Sequence, residues 1–254
     1  VAEGRDVVAV GRDAGRLTER VPGCTHRVSD LARPQTVATA LADATHVVSL
    51  AHARFIPVVL DSLPQGCQRV VVTGSTRKFT RLPDPAADAV RAGEAAFLDF
   101  QARGSCEAAL LHPSMIYGSP EDRSVNRLLA WYRRWPRGWP VPTPLPGGGR
   151  HLVQPVHVDD VVAAFVAALD APGAPGEPII LAGPEPITYR AFAAACAAAV
   201  GRRAWVLPVP LRPAAAMLDM LAALRLPLPA SGAALRRTAE DKRFDITPAK
   251  RRLG

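Results

Sequence analysis

Residues 69–73 read Arg-Val-Val-Val-Thr, and this short β-branched run decides the fold class. An apolar run without alternation is typical of a strand covered on both faces, as in a parallel sheet. Similar runs recur on either side of it with Ala-rich segments between them, and this alternation predicts βαβ units. We therefore predict strands at residues 6–10, 45–50, 69–73, 108–112 and 178–181, with a weaker strand at 26–28.

Helices are predicted in the intervals between these strands, at residues 35–42, 85–103, 158–169 and 188–200. The carboxylates of Asp159 and Asp160 favour a helix N-terminus, Thr188 is a suitable N-cap, and Gly201 is a suitable C-cap. Between Pro136 and Pro146 the chain has five prolines, and three glycines follow directly. This composition predicts an irregular loop.

The composition is that of a globular protein. The chain has 254 residues, of which 48% are apolar and 21% are charged. Its longest apolar runs, 161–169 and 191–200, are far shorter than the roughly 18 residues needed to span a bilayer, so we predict no membrane span. The four cysteines are scattered without the spacing of a zinc site or a disulfide scaffold, which favours a reducing cytoplasm and predicts no metal site.

The net charge of +8 favours anionic ligands such as dinucleotides. The arginines are spread along the chain, which is typical of a solvated surface. Trp131, Trp135 and Trp139 recur every four residues among arginines, but this single cluster is too short for a nucleic-acid surface. We predict there a short helix followed by a lid loop, and no nucleic-acid partner.

Both ends of the chain are abrupt. It begins at Val1 without the basic start or the apolar stretch of a signal peptide, and it ends on Arg-Arg-Leu-Gly at residues 251–254. We expect a fragment clipped at both ends.

Several motifs occur together in a characteristic order. They are His-Pro-Ser-Met-Ile-Tyr-Gly at 112–118, Gln-Pro-Val-His-Val-Asp-Asp-Val at 154–161, Leu-Ala-Gly-Pro-Glu-Pro-Ile-Thr at 181–188, and Glu-Asp-Lys-Arg-Phe-Asp at 240–245 followed by Arg-Leu-Gly at 252–254. In this order they resemble the extended and atypical short-chain dehydrogenase/reductase proteins, often called the NAD-dependent epimerase/dehydratase family. The resemblance covers nearly the whole chain.

The resemblance implies an α/β fold with a Rossmann-type doubly wound parallel sheet and a small C-terminal substrate or cap region. Residues 1–254 would form one NAD(P)-binding domain, with cap segments at about 119–150 and 184–254. The family's first strand and Gly-rich turn would lie before Val1, because the glycines at 147–149 follow no predicted strand. In the strand order 3-2-1-4-5-6 that strand is central, so its two neighbours would lose a shared partner and the fragment would be poorly stable.

The cofactor prediction depends on Arg12, directly after the first predicted strand. An arginine there can neutralise the 2′-phosphate of NADP, whereas Asp13 keeps NAD open. The resemblance implies further cofactor contacts along the strand ends and the following helix. These residues are Asp30, Leu31, Ala51, His52, Ser75, Arg91, His112 and Pro113.

Catalytic members of the family use a Ser at the end of a strand and a Tyr/Lys pair, spaced YxxxK, on the next helix. Ser75 or Thr76 can supply the hydroxyl, but the Tyr and Lys positions correspond to Ala87 and Arg91. Alanine cannot transfer a proton, and arginine stays charged, so the usual dyad is missing.

Tyr117 and Lys78 are possible substitutes for the missing acid. Nearby, His157 is interpreted as a packed histidine rather than a base. Asp159 and Asp160 are interpreted as helix-capping groups rather than a catalytic pair.

The substrate is less well defined. Nucleotide-sugar enzymes of the family commonly carry Arg-Asp where this chain has Val153 and Gln154, so the chain is more similar to atypical relatives. The leading interpretation is an atypical cytoplasmic protein that binds NAD(P) and an unidentified small molecule. The alternatives are an active NADP-dependent oxidoreductase or nucleotide-sugar epimerase with a displaced acid or base, and a non-catalytic redox sensor or scaffold.

Overall fold

The computed structural model describes residues 4–122, 124–171, 176–224 and 231–254. It divides into two compact units, each assembled from segments that are distant in sequence. Unit 1 comprises Val1–Gly74, Asp88–Leu111 and Ala168–Pro178, and unit 2 comprises Ser75–Ala87, His112–Ala167 and Ile179–Gly254.

The strands and helices alternate along much of the described chain. The strands are β1 (Val8–Gly11), β2 (Thr25–Val28), β3 (His46–Ser49), β4 (Arg69–Thr73), β5 (Glu107–Pro113), β6 (Ile116–Tyr117), β7 (Pro140–Pro146), β8 (Leu152–Val153), β9 (Val156–His157), β10 (Ile179–Leu181), β11 (Ile187–Thr188) and β12 (Arg203–Val209). The α-helices are α1 (Ala14–Arg20), α2 (Pro34–Leu41), α3 (Ile56–Asp61), α4 (Pro85–Arg103), α5 (Val125–Arg133), α6 (Val158–Asp170), α7 (Tyr189–Ala199), α8 (Leu211–Ala223), α9 (Gly232–Arg237) and α10 (Thr247–Leu253). Short 3-10 helices span Ala53–Phe55, Thr76–Phe79 and Gly147–Gly149.

Unit 1 is built on parallel strands. β4 lies between β3 and β5, with Val47 opposite Val70 and Val70 opposite Ala108. Val70, Val71 and Val72 are completely buried, as their unalternating apolar sequence predicts for a strand covered on both faces. The predicted parallel α/β arrangement is therefore confirmed.

A second parallel sheet of unit 1 joins β1 to β2, with Val8 opposite Thr25. Within the described residues, β1 pairs only with β2, and β3 pairs only with β4. One edge of each of these two strands therefore has no strand partner in the described part of the chain.

Unit 2 contains smaller sheets. β12 pairs in parallel with β7, β6 pairs in parallel with β9, and β8 pairs antiparallel with β11. Helices α5 and α7 contribute Tyr132 and Phe192 to a core that also contains Val141 and Val153. This core positions the loops that follow the short strands.

The prediction of an irregular loop through Pro146 is wrong, because residues 140–146 form strand β7. Proline lies at alternate positions there, while Val141, Thr143 and Leu145 between them are buried. Alternate residues of a strand point their N–H groups to the same edge, so every missing donor lies on the edge away from β12. The indole Nε1 of Trp131, at the end of α5, donates to the Pro142 carbonyl at 3.0 Å.

Most other predicted elements are present, with ends shifted by one or two residues. Thr188 caps α7 by accepting a hydrogen bond from the Ala191 N–H at 3.1 Å, and Gly201 follows that helix with a φ of 67°. Both predicted caps are thus confirmed. Several further elements were not predicted, because their residues lie outside the predicted helices and strands: α1, α3, α8, α9, α10, β6, β8, β9 and β12.

Candidate functional site

Ser75 and Thr76 lie in unit 2, in the turn that follows β4. The Ser75 N–H donates to Nδ1 of His112 at 2.8 Å, and the Thr76 hydroxyl donates to the Pro113 carbonyl at 3.4 Å. His112 and Pro113 are both buried at the end of β5. The structure therefore brings four predicted site residues together, with the histidine and the proline supporting the hydroxyl-bearing turn.

The Ser75 hydroxyl also has a local structural role. Its Oγ accepts a hydrogen bond from the Arg77 N–H at 3.2 Å and caps the 3-10 helix Thr76–Phe79. The amine of Lys78 in that helix lies 5.0 Å from the centre of the Phe79 ring. This capping fixes the position of the Ser75 hydroxyl relative to the turn.

Tyr117 lies on β6 against His157 of β9. The two rings meet edge to face with 5.1 Å between their centres, and Asp159 donates its N–H to Nδ1 of His157 at 3.3 Å. Gly118 has a φ of 102°, and a Cβ atom there would overlap the His157 imidazole. His157 is therefore packed and hydrogen-bonded, as interpreted from the sequence.

Gln154 joins three segments of unit 2. Its side chain is buried, its Nε2 donates to the Gly183 carbonyl at 2.7 Å, and its Oε1 accepts from the Phe244 N–H at 2.7 Å. The preceding residue, Val153, is a core residue that pairs with Ile187. Both amide atoms of Gln154 are thus used within the protein.

The predicted cofactor residues of unit 1 follow the ends of strands β1, β2 and β3. Arg12 is exposed directly after β1, while the side chain of Asp13 caps α1 by accepting from the Arg16 N–H at 3.1 Å. The ends of β1 and β2 are joined by a hydrogen bond from the Ser29 N–H to the Gly11 carbonyl at 2.9 Å. Arg12 therefore lies at the end of β1. The carboxylate of its neighbour Asp13 already caps α1.

Asp30 and His52 act in local turns. Asp30 accepts a hydrogen bond from the Ala32 N–H at 3.0 Å, and Nδ1 of His52 accepts one from the Arg54 N–H at 3.2 Å. Leu31 packs against the core of unit 1, and Ala51 is half-buried directly after β3. No strand pairing joins β1 and β3 in the described residues, so these two groups of predicted residues are not linked through a shared sheet.

Helix α4 contains Ala87 and Arg91, the two positions that the sequence comparison aligned with the family's Tyr and Lys. Ala87 is completely buried, and Arg91 is ion-paired with Asp88 at 2.5 Å. A methyl group cannot transfer a proton, and a guanidinium stays protonated at neutral pH. Neither side chain can therefore serve as an acid at this helix.

The sequence analysis missed a group of charged side chains around Asp84. This carboxylate is only 3% exposed and receives two hydrogen bonds from Arg77, at 2.7 and 3.1 Å, with Arg237 at 3.6 Å. The hydrogen bonds from Arg77 are the main reason why the pKa of Asp84 is lowered. The signal in the sequence was the carboxylate of Asp84 just before Pro85, where α4 begins. Its distant partner Arg237 could not be predicted from that signal.

The described residues contain no helix with the length and apolar character that a bilayer-spanning segment requires. They also contain no group of three or more His, Cys, Asp or Glu side chains arranged to hold a metal ion.

Residues 84–182 match the NAD dependent epimerase/dehydratase family. This match includes α4, β5 and the motifs at 112–118 and 154–161, and it confirms the resemblance found in the sequence. The comparison with curated proteins found no match.

Solved structures show the same fold. A nucleoside-diphosphate-sugar epimerase from Pseudomonas aeruginosa is 18% identical, with a TM-score of 0.71 over 100% of this chain and 84% of that chain. The Citrobacter sp. triphenylmethane reductase complexed with NADP(H) is 15% identical, with a TM-score of 0.70 over 96% of this chain and 84% of that chain. The UDP-glucose 4-epimerase of Thermus thermophilus in complex with NAD is 21% identical, with a TM-score of 0.63 over 94% of this chain and 91% of that chain. The predicted Rossmann-type fold is therefore confirmed.

Proposed function

We propose that this chain is an atypical NAD(P)-binding protein that binds NADP(H) in preference to NAD(H) and lacks the Tyr/Lys dyad. Its family match supports a nicotinamide dinucleotide, and its structural neighbours include proteins solved with NADP(H) and with NAD. The free thiols of Cys24, Cys67, Cys106 and Cys196 support a cytoplasmic location.

The preference for NADP(H) depends on Arg12 and Asp13. A carboxylate at this strand end would bind the ribose hydroxyls of NAD, but Asp13 instead caps α1 and lies 3.6 Å from Arg16. Arg12 is the exposed cation directly at the end of β1, where a guanidinium can form charge-assisted hydrogen bonds with a 2′-phosphate. The proposed preference for NADP(H) rests on this exposed Arg12 beside an Asp13 that is already used as a helix cap.

The proposed chemistry is limited by α4. With Ala87 buried and Arg91 paired with Asp88, the remaining candidates for moving a proton in the predicted site are Ser75, Thr76, Tyr117 and Lys78. We expect such a site to bind the dinucleotide without fast turnover, because the usual proton donor beside the hydride acceptor is missing.

The proposed small molecule is not a nucleotide sugar held in the family's usual way. Val153 is a core residue, and both amide atoms of Gln154 bond to the backbone of the protein. Neither residue can therefore replace an arginine that holds a diphosphate.

Titration of the protein with NADPH and with NADH, followed by the fluorescence of the reduced nicotinamide, tests the cofactor preference. We expect tighter binding of NADPH, and an Arg12→Gln variant should lose about tenfold in NADPH affinity with little change for NADH. Arg16→Gln, which removes one positive charge from the adjacent helix, is the matched control. Tighter binding of NADH by the unmodified protein would contradict the proposal.

A further inference from the structure

A cavity of unit 2 has no role in the proposed cofactor site. It has a volume of about 260 Å³ and is lined by the N-terminal half of α6, the loop after β10 and α10. We call it the α6–α10 cavity, and its wall includes Val156, Asp160, Ala163, Leu181, Ile246 and Lys250. All of its lining residues belong to unit 2, and none of them is a predicted cofactor or catalytic residue.

The deeper part of the wall is apolar. Val156 and Leu181 are buried, and Ile246, next to the start of α10, is half-buried. Ala163 of α6 carries only a methyl group, so the helix leaves space beside these aliphatic side chains. Such a wall favours the apolar part of a small ligand, since binding removes that part from water.

The walls of the cavity are held together by Gln154. Its side-chain amide donates to the Gly183 carbonyl in the loop after β10 and accepts from the Phe244 N–H in the segment before α10, both at 2.7 Å. A Cβ atom at Gly183 would lie 2.2 Å from the Pro155 carbonyl oxygen, so the loop packs directly against the backbone that precedes α6. The cavity is therefore preformed, which lowers the entropic cost of binding a ligand.

Two side chains of opposite charge lie in the wall of this cavity, Asp160 on α6 and Lys250 on α10. Within the described residues, neither the carboxylate of Asp160 nor the amine of Lys250 forms a hydrogen bond or an ion pair, either with the other or with a third group. Both side chains are exposed, so a ligand can reach them from solvent. A single unpaired charge is ordinary at a protein surface, whereas two opposite charges around one cavity leave room for a ligand that bridges them.

The charges of the cavity select a class of ligand. One carboxylate and one ammonium group sum to zero, so an anion such as phosphate would meet the like charge of Asp160, and a simple amine would meet that of Lys250. A zwitterion offers each side chain an opposite charge and can form a charge-assisted hydrogen bond with both. The volume of about 260 Å³ lies just below the usual range of about 300–1,000 Å³ for drug-sized ligands, which suits a molecule of the size of an amino acid.

From these observations we propose that the α6–α10 cavity binds an aliphatic α-amino acid, with its ammonium group at Asp160, its carboxylate at Lys250 and its side chain on the apolar wall. Binding makes and breaks no covalent bond. It does not depend on the dinucleotide, so this site goes beyond the proposed function and is tested separately from it.

Isothermal titration of the protein with leucine tests this site, since leucine combines both charges with a branched apolar side chain. Two analogues each lack one charge: 4-methylpentanoate has no ammonium group, and 3-methylbutylamine has no carboxylate. We expect leucine to bind at least about tenfold more tightly than either analogue, because each analogue loses one charge-assisted hydrogen bond.

Variants of the two charged residues test the orientation of the ligand. Asp160→Asn should remove the preference for leucine over 4-methylpentanoate and keep the preference over 3-methylbutylamine, and Lys250→Gln should have the reverse effect. Asp160→Glu and Lys250→Arg should restore most of each preference. Glu185→Gln and Arg252→Gln, which remove exposed charges that do not line the cavity, are the matched controls and should leave all three affinities unchanged.

A further variant, Ala163→Leu, fills part of the cavity and should weaken leucine binding at least about tenfold. Thermal unfolding of every variant shows whether a loss of binding reflects a loss of structure. The comparison of the three ligands on the unmodified protein requires no variant, so the proposal remains testable if a variant does not fold.

The site is refuted if leucine does not bind at millimolar concentration, if either analogue binds as tightly as leucine, or if leucine affinity is unchanged both in Asp160→Asn and in Lys250→Gln. Unchanged leucine affinity in a folded Ala163→Leu variant would also refute it. NADPH titration of the same samples keeps the two proposals separate, because a loss of NADPH binding bears on the cofactor alone.

Discussion

The single buried carboxylate of Asp84 contributes to the stability of the folded chain. It is almost fully buried and bound by Arg77, with Arg237 close by. Removing one partner of such an arrangement leaves buried charge without compensation, which commonly costs several kcal/mol. The role of Asp84 is therefore structural support for the turn after Ser75.

We predict that Asp84→Asn lowers the free energy of unfolding by about 3 kcal/mol at neutral pH. Because the folded-state pKa of Asp84 is below its usual 3.8, its contribution is present above that pH and is lost as the pH falls through the folded pKa. Urea unfolding of both proteins across acidic pH measures this difference. Asp219→Asn, at an exposed ion pair with Arg236, is the control and should change the free energy by less than about 1 kcal/mol. A difference for Asp84→Asn that does not shrink in acid would contradict this account.

Single residues also show the limits of prediction from sequence. The position of Ser75 just after β4 could be predicted because the strand before it is a continuous apolar run. The Asp84–Arg237 contact joins residues that are far apart in sequence, and local propensity contains no information about such pairs. The places of candidate residues that depend on one strand end were therefore predictable, whereas the contact between Asp84 and Arg237 was not.

At the scale of elements, α4 approaches the 3-10 helix Ala53–Phe55 through a glycine. A Cβ atom at Gly93 would overlap the carbonyl of Ala53, which is backbone and cannot move aside as a flexible side chain can. Gly93 thus permits a close contact within unit 1, at some cost in helix propensity.

We predict that Gly93→Ala lowers the free energy of unfolding by about 2 kcal/mol, because the steric overlap exceeds the gain of up to about 1 kcal/mol in helix propensity. Thermal or urea unfolding measures the change. Gly66→Ala, at a glycine with open space around it, should leave stability within about 0.5 kcal/mol of the unmodified protein. An unchanged or raised stability of Gly93→Ala would show that α4 can move without cost.

Elements with a self-contained pattern were predicted well, and those whose pattern is ambiguous were not. The strand at 69–73 has the predicted bounds because its core positions are all β-branched. The strand at 140–146 was predicted as a loop because proline normally prevents strand pairing; only its partner β12 shows that the missing donors all face outward. The pairing with β12 thus explains why residues 140–146 form a strand despite their prolines.

At the scale of the whole molecule, the two sheets of unit 1 differ in their support. β4 has a partner on both sides, whereas β1 and β3 each have one in the described residues. Large apolar side chains near these open edges are exposed, including Val10, Val48 and Leu50, the last at 72%. Burial of these side chains therefore contributes less than burial of the β4 valines does.

We predict that this chain is poorly stable and unfolds in more than one step, with β1 and β2 opening before β4. Hydrogen exchange measured by mass spectrometry should show faster exchange at Val8–Gly11 than at Arg69–Thr73, because unsupported strands open locally. Denaturant unfolding provides the second measurement. A single cooperative transition of ordinary size for a chain of this length would refute this prediction.

The outer edge of β7 has a different consequence, which concerns self-association. Prolines at alternate positions leave that edge with carbonyl acceptors and no N–H donors, and the Trp131 indole already occupies the Pro142 carbonyl. A strand from another molecule needs donors as well as acceptors to extend a sheet, so β7 cannot act as a template for aggregation. The edges of β1 and β3 that have no strand partner in the described residues lack this protection, so intermolecular strand pairing can begin at them.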